Sequence, residues 1–252
     1  MMNVHVLGCW GAYPEAGQAT TGLLVETDKH KILVDVGSGV LAQLLDVCAI
    51  PELTALIVTH HHHDHTADFG VLTYALLLAR LMGKRKRPLP MYMLKGSEER
   101  MRDLSKEPLA DVHIVNATSE IQIDGVRVTF APTIHPVPCL AVRIEYSGEV
   151  FVFSADTAYS EPVIALAKNA DLFLCESSMY KGQEKEAKGP GHVTAPQAGQ
   201  MAGLADVKQL VLTHLPHYGN HQDLITQAME TYHGPVTLAQ HRMILQVGGQ
   251  QI

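Results

Sequence analysis

Residues 60–65 read His-His-His-His-Asp-His and follow directly on the apolar run Ala55–Thr59. That run has strand composition. Alternate side chains of an extended chain share a side, so His60, His62 and Asp64 can converge while His65 follows around the turn. Imidazole and carboxylate together suit zinc, manganese or iron. A divalent ion held there would polarise a substrate oxygen and acidify water, which is hydrolytic chemistry. The ordinary alternative is a histidine-rich tract with incidental affinity, and a tag scar is a second; an internal position behind a buried-type strand argues against a tag. The excess also shows in composition, with 15 His against 19 Lys plus Arg.

Thr59-His60-x-His62-x-Asp64-His65 resembles the HxHxDH signature of the metallo-β-lactamase superfamily. The order of the later segments is similar to that family over nearly the whole chain. The resemblance implies a dinuclear metal centre completed by His135 (Thr-Ile-His-Pro-Val-Pro), Asp156 (Phe-Ser-Ala-Asp-Thr) and His214 (Leu-Val-Leu-Thr-His-Leu). It assigns His60, His62 and His135 to one metal, Asp64, His65 and His214 to the other, and Asp156 to both. Taken singly, these later residues have plain readings: His135 a turn residue before proline, Asp156 a helix cap, His214 a surface histidine. The ions implied are divalent, Zn2+ first, with Mn2+ or Fe2+ as alternatives.

The second half looks most like the ribonuclease Z branch and its phosphodiesterase relatives. His192-Val-Thr-Ala-Pro-Gln-Ala is similar to that branch's histidine-bearing loop before a helix, which implies a catalytic His192 near the phosphate or leaving group. Thr194 also reads as the N-cap of the following helix. Asp64 would orient the nucleophile. Asp35 and Glu176 resemble residues that support ligands from behind, Glu176 by orienting a metal-binding histidine. Tyr13 and His217 are candidate substrate contacts, with ordinary packing the default for Tyr13 and Trp10. His61 and His63 fall at variable positions of the signature and should point away from the metals.

One departure bears on the substrate. Ribonuclease Z enzymes carry a transfer-RNA-gripping arm inserted after the position matching His135, whereas here the strand Leu140–Tyr146 follows at once. The formal net charge is -7. Together these argue against transfer-RNA 3′ processing and long RNA, because such substrates need many phosphate contacts. Lys84–Arg87 is the one dense basic run, read as a solvated loop first and a phosphate patch second. The expected activity is hydrolysis of a small phosphodiester or a short nucleic-acid end. Lactone, ester or thioester hydrolysis by the same centre is the alternative, and a non-catalytic metal-binding protein ranks behind both. A homodimer is an expectation of the resemblance alone.

The elements that must position these residues follow from local pattern. Turns are expected at Asp28-Lys29, Asp124-Gly125 and Ser147-Gly148, and helices over 40–47, 69–82, from Ser97, 162–168, 195–204 and 222–232. Residues 181–191 read as a polar loop. Strands, helices, strands and helices again suit an α+β fold, a four-layer αββα sandwich, formed by residues 1–252 as a single domain. The 252 residues, 46% hydrophobic and 18% charged, are enough to build a large core. Cys9, Cys48, Cys139 and Cys175 form no CxxC pair, which excludes a zinc ribbon and a disulfide scaffold. With no signal-peptide pattern and no run of about 18 apolar residues, a cytoplasmic protein without membrane association is expected.

Overall fold

The computed structural model describes residues 1–96 and 108–249; the helix expected from Ser97 lies outside the described residues. Two seven-stranded sheets carry the architecture. The first contains β1 (Asn3–Gly8), β2 (Gly22–Glu26), β3 (Lys31–Val34), β4 (Ala55–Val58), β5 (Leu89–Met93) and β6 (Ala110–Ile114). The second contains β7 (Glu120–Ile123), β8 (Val126–Pro132), β9 (Leu140–Tyr146), β10 (Glu149–Phe153), β11 (Leu172–Glu176), β12 (Leu210–Thr213) and β13 (Val236–Leu238). A last strand, β14 (Ile244–Gln246), returns to the first sheet beside β1. Each sheet begins with antiparallel hairpins and ends in parallel strands.

Strand periodicity sorts the core into layers. Ile32, Val34, Ala55 and Ile57 point into the core shared with the second sheet, among Val128, Phe151 and Phe173. Their neighbours Leu33, Leu56 and Val58 point the other way, against α1 (Val40–Leu44) and the Leu72 and Leu76 face of α3 (Phe69–Leu81). A short helix α2 (His63–Thr66) lies between these two in sequence. The outer layer on the second sheet consists of α4 (Glu161–Leu166), α6 (Ala195–Leu204) and α7 (His221–Ala228), with α5 (Glu184–Lys188) preceding α6. This is the αββα sandwich. Among the described residues no helix is long and apolar enough to cross a membrane.

The turns behave as their residues demand. Asp124 and Gly125 have φ 37° and 91°, and Ser147 and Gly148 have φ 51° and 84°, the double left-handed geometry that matches strand twist in a two-residue hairpin. Two expectations change, and two short strands are added to those the pattern marks. Residues 181–191 contain α5 rather than loop alone. Strands β13 and β14 have only three residues each, too short to leave a periodic signature. The Lys84–Arg87 run is partly structural: Arg85 turns inward, and its Nη1 donates to Pro51 O (3.2 Å) and Leu53 O (2.8 Å). The four cysteines are free and buried.

The two faces of α3 give a direct test. Leu72 is fully buried and Tyr74 is 70% exposed. Leu72→Ala should lower the unfolding free energy by about 2–5 kcal/mol in a urea titration. Tyr74→Ala should change it by no more than about 0.5 kcal/mol.

Candidate metal centre

The site lies along the carboxyl ends of strands from both sheets. Asp35 follows β3, His60 follows β4, and α2 carries Asp64 and His65. From the second sheet, His135 follows β8, Asp156 follows β10, Glu176 ends β11 and His214 follows β12. His60, His62, His135 and Asp156 form one group whose candidate ligand atoms lie within 4.8 Å of one another. Asp64, His65, Asp156 and His214 form a second within the same limit. Asp156 belongs to both. Its Oδ2 lies 3.7 Å from His60 Nε2, 3.9 Å from His135 Nε2 and 3.5 Å from His214 Nε2, and its Oδ1 lies 3.2 Å from His65 Nε2.

Strand alternation explains only part of this convergence. His62 is extended (φ -66°, ψ 154°), but α2 begins at His63. Asp64 therefore reaches the site from the first turn of a helix, with His65 the next residue around it. His63 is exposed, and His61 Nε2 lies 2.8 Å from Leu94 O. Neither belongs to either ligand group.

Hydrogen bonds behind the rings fix the tautomers. Asp35, fully buried, accepts Thr59 N–H (2.8 Å) on Oδ1 and both Thr59 Oγ1–H (2.8 Å) and His65 Nδ1–H (2.7 Å) on Oδ2. Because Thr59 Oγ1 donates to Asp35, it accepts from His60 Nδ1–H at 3.1 Å. His135 Nδ1–H donates to Gly191 O at 3.2 Å. On the far side, Ser178 Oγ–H donates to Glu176 Oε2 (2.7 Å) and accepts His214 Nδ1–H (2.8 Å). Each of these four rings thus turns Nε2 toward the site, where His135 Nε2 lies 3.1 Å from His62 Nδ1 and His214 Nε2 lies 3.3 Å from Asp64 Oδ2. The Nε2 atoms of His60 and His65, and Asp156 Oδ1, are buried without a hydrogen-bond partner. Orphaned acceptors of this kind are costly unless a cation meets them.

Electrostatics points the same way. Burial holds His60 well below the usual histidine range, reinforced by His65 beside it. Burial would raise the carboxyl groups of Asp64 and Asp156, but the His214 and His65 rings hold both well below the usual carboxylate range. Burial works against charge on His65 as well, but Asp156 and Asp35 on either side push it well above the usual histidine range, and among the described residues the ion pairs of Asp35, Asp64 and Asp156 are all with histidine.

His192 stands at the edge of the centre, its ring 5.6 Å from that of His135 and 5.3 Å from that of His214. Glu176 holds it: His192 Nδ1–H donates to Oε1 at 3.0 Å, and Thr157 N–H donates to the same oxygen at 2.6 Å. Glu176 therefore grips His192 directly and reaches a metal-site histidine, His214, only through Ser178. Sequence reading missed Ser178, a small hydroxyl two residues past a strand end with no spacing to mark it. The loop Gly8–Gly17, which carries the candidate contact Tyr13, forms a wall of the site. Ala12 N–H donates to Asp64 Oδ2 at 3.1 Å, and a Cβ at Gly11 would meet His214 Cε1 at 2.7 Å. His217 fastens this loop: Nε2–H donates to Tyr13 O (2.7 Å), and the ring stacks on Tyr13 (3.7 Å) and Trp10 (4.9 Å). Tyr13 itself stays 59% exposed.

Asp35→Asn tests the support behind the ligands. The amide replaces an acceptor with a donor facing either Thr59 or His65. Metal affinity, measured by titration with zinc, should fall about 10- to 100-fold while the fold persists by circular dichroism. Unchanged affinity would deny Asp35 that role.

Comparisons with known proteins agree with this geometry. Residues 30–215 match the model of the β-lactamase superfamily domain. The probable metallo-hydrolase YhfI of Bacillus subtilis is 34% identical over 238 residues, covering 94% of this chain and 97% of that protein. The crystal structure of YhfI, described as a metallo-β-lactamase fold protein, superimposes with a TM-score of 0.91 at 33% identity, covering 97% of this chain and 98% of that one. Ribonuclease Z of Thermobifida fusca is 27% identical over 298 residues, covering 94% and 92% of the two chains. A diphosphatase of the PhnP family shares the fold with a TM-score of 0.75 at 18% identity, covering 98% of each chain. The chain belongs to the β-lactamase superfamily, with ribonuclease Z-like relatives, and is a metallo-hydrolase.

Proposed function

We propose that the protein is a phosphodiesterase with a dinuclear metal centre, acting on a small phosphodiester or a short nucleic-acid end. The observation that carries this reading is the Glu176–His192 pair beside the two ligand groups. The orphaned buried acceptors His60 Nε2, His65 Nε2 and Asp156 Oδ1 fit divalent ions. His60, His62, His135 and Asp156 would hold one, and Asp64, His65, His214 and Asp156 the other, with zinc the ion best suited to this nitrogen and oxygen set. When bound, such ions lower the pKa of water and polarise phosphoryl oxygens.

The chain's own residues supply the rest. Asp64, whose side chain is 14% exposed against 3% for Asp156, is the carboxylate with access to an attacking water and orients it. Asp64 accepts a hydrogen bond from this water, and as the new P–O bond forms the water's proton is released to solvent. Breakage of the opposite P–O bond leaves an oxyanion that needs a proton. Burial would lower the His192 pKa, but the Glu176 carboxylate pushes it up to about 9, so the ring is protonated at neutral pH. With Nδ1–H held by Glu176, His192 delivers the Nε2 proton to the leaving oxygen.

The loop between β8 and β9 supports a small substrate. Thr133 N–H donates to Cys139 O at 3.1 Å and closes it, so nothing projects there to grip a long RNA. The names of the relatives, ribonuclease Z and diphosphatase, favour phosphorus over carbonyl chemistry.

His192→Ala should slow a dinucleotide, whose leaving group is an alkoxide, by about 100-fold at unchanged metal content. Bis(p-nitrophenyl) phosphate should lose much less, because p-nitrophenolate leaves without a proton. Equal losses on both would remove the acid role. A wild-type rate on lactones or thioesters far above that on either diester would replace the reaction class.

A further inference from the structure

A cleft of ≈ 480 Å³ opens beside His192, within the size range of small-molecule sites. Its lining brings together residues from four places: Ile134 next to His135, Tyr159 three residues past Asp156, Lys188 of α5, and Gln197 and Gln200 of α6. An oxygen that takes its proton from His192 must lie within hydrogen-bond reach of that ring. The group attached to that oxygen then extends into the space His192 lines, which is this cleft. This step rests on the role proposed above for His192.

The walls define what fits. Tyr159, half-buried, offers an aromatic face, and Ile134 is 52% exposed beside it. Gln197 Oε1 is already taken, accepting Thr194 N–H at 3.0 Å and Thr194 Oγ1–H at 3.3 Å in the capping box of α6. The Gln197 amide can therefore give the cleft only N–H donors. Gln200 stands one turn further along the same helix face. Glu184 is engaged as well, its Oε1 accepting Gly182 N–H at 3.1 Å. Lys188 has no ion-pair partner among the described residues and is the one lysine in the lining. A single lysine is too little charge for a polyphosphate or a nucleic-acid backbone, whose recognition takes several cations. An aromatic wall with amide donors suits a flat, uncharged ring bearing hydrogen-bond acceptors.

We infer that this cleft is the leaving-group subsite, that it takes a flat aromatic or heteroaromatic group, and that Tyr159 is the specificity-determining ring against which that group lies. Phenylphosphonate and methylphosphonate test it by calorimetric titration of the metal-loaded protein. Both present the same phosphonate to the centre and neither is hydrolysed, so their affinity ratio isolates the ring. Phenylphosphonate should bind about 10-fold tighter, in keeping with the worth of an aromatic contact and its buried area. Tyr159→Ala should bring the ratio to within about 2-fold, and Tyr159→Phe should keep it. If Tyr159→Ala does not fold, Tyr159→Leu preserves bulk without the flat face and should lose most of the preference. Equal affinities in the wild-type protein, or a preference that survives loss of the ring, would overturn the assignment. A ring preference erased with Tyr159 in a protein that cleaves no phosphodiester would keep the subsite and overturn only the reaction class.

Discussion

The site depends on one constraint: a histidine can offer a lone pair to a cation only if its proton is held on the other nitrogen. Four separate acceptors do this. Asp35 holds His65, Thr59 holds His60, the Gly191 carbonyl holds His135 and Ser178 holds His214. Asp35 governs two of them, because the Thr59 hydroxyl can accept from His60 only while it donates to Asp35. The outer hydrogen bonds are therefore as much a part of the site as the ring nitrogens they aim.

The fold serves this constraint by bringing parallel strand ends from two sheets to one edge. Neither sheet holds a complete ligand set. His60, His62, Asp64 and His65 come from the first, and His135, Asp156 and His214 from the second. Backbone strain collects where they meet. Ala12, Asp35, Ala155 and His214 all adopt left-handed φ values between 50° and 58°, a conformation that costs roughly 1–3 kcal/mol in a sparsely populated region. The apolar core between the sheets, with Phe151, Phe153 and Phe173 fully buried, stabilises the arrangement against that cost.

Much of this was legible in the sequence because the relevant signals are local. The hairpins announce themselves as Asp-Gly and Ser-Gly, α3 by its apolar spacing, and the metal motif by six consecutive residues. The features that were not legible are relational. Nothing near Ser178 shows that its hydroxyl will lie between Glu176 and His214, 36 residues apart from the latter. Glu176 was expected to serve a metal-site histidine; it grips His192 directly and reaches His214 only through Ser178. His217, read as a candidate substrate contact, ties down the loop that carries Ala12 to Asp64. In each case the decisive fact is which partner the fold supplies, and only long-range packing determines that. The helical turn at 63–66 is a smaller instance: His, Asp, His and Thr have no strong helical preference, and the turn forms because His65 N–H and Thr66 Oγ1–H both close on His62 O, at 3.2 Å and 2.7 Å.

At the centre of the account is Asp156, the carboxylate common to both ligand groups. The most direct measurement is metal stoichiometry and affinity for the wild-type protein and Asp156→Asn, by mass spectrometry of the intact folded protein during zinc titration. The account predicts two ions per wild-type chain, and in the variant a loss of affinity at both positions together, because one carboxylate serves each. Loss of a single ion with the other bound at full affinity would contradict it, as would a wild-type chain that saturates with one.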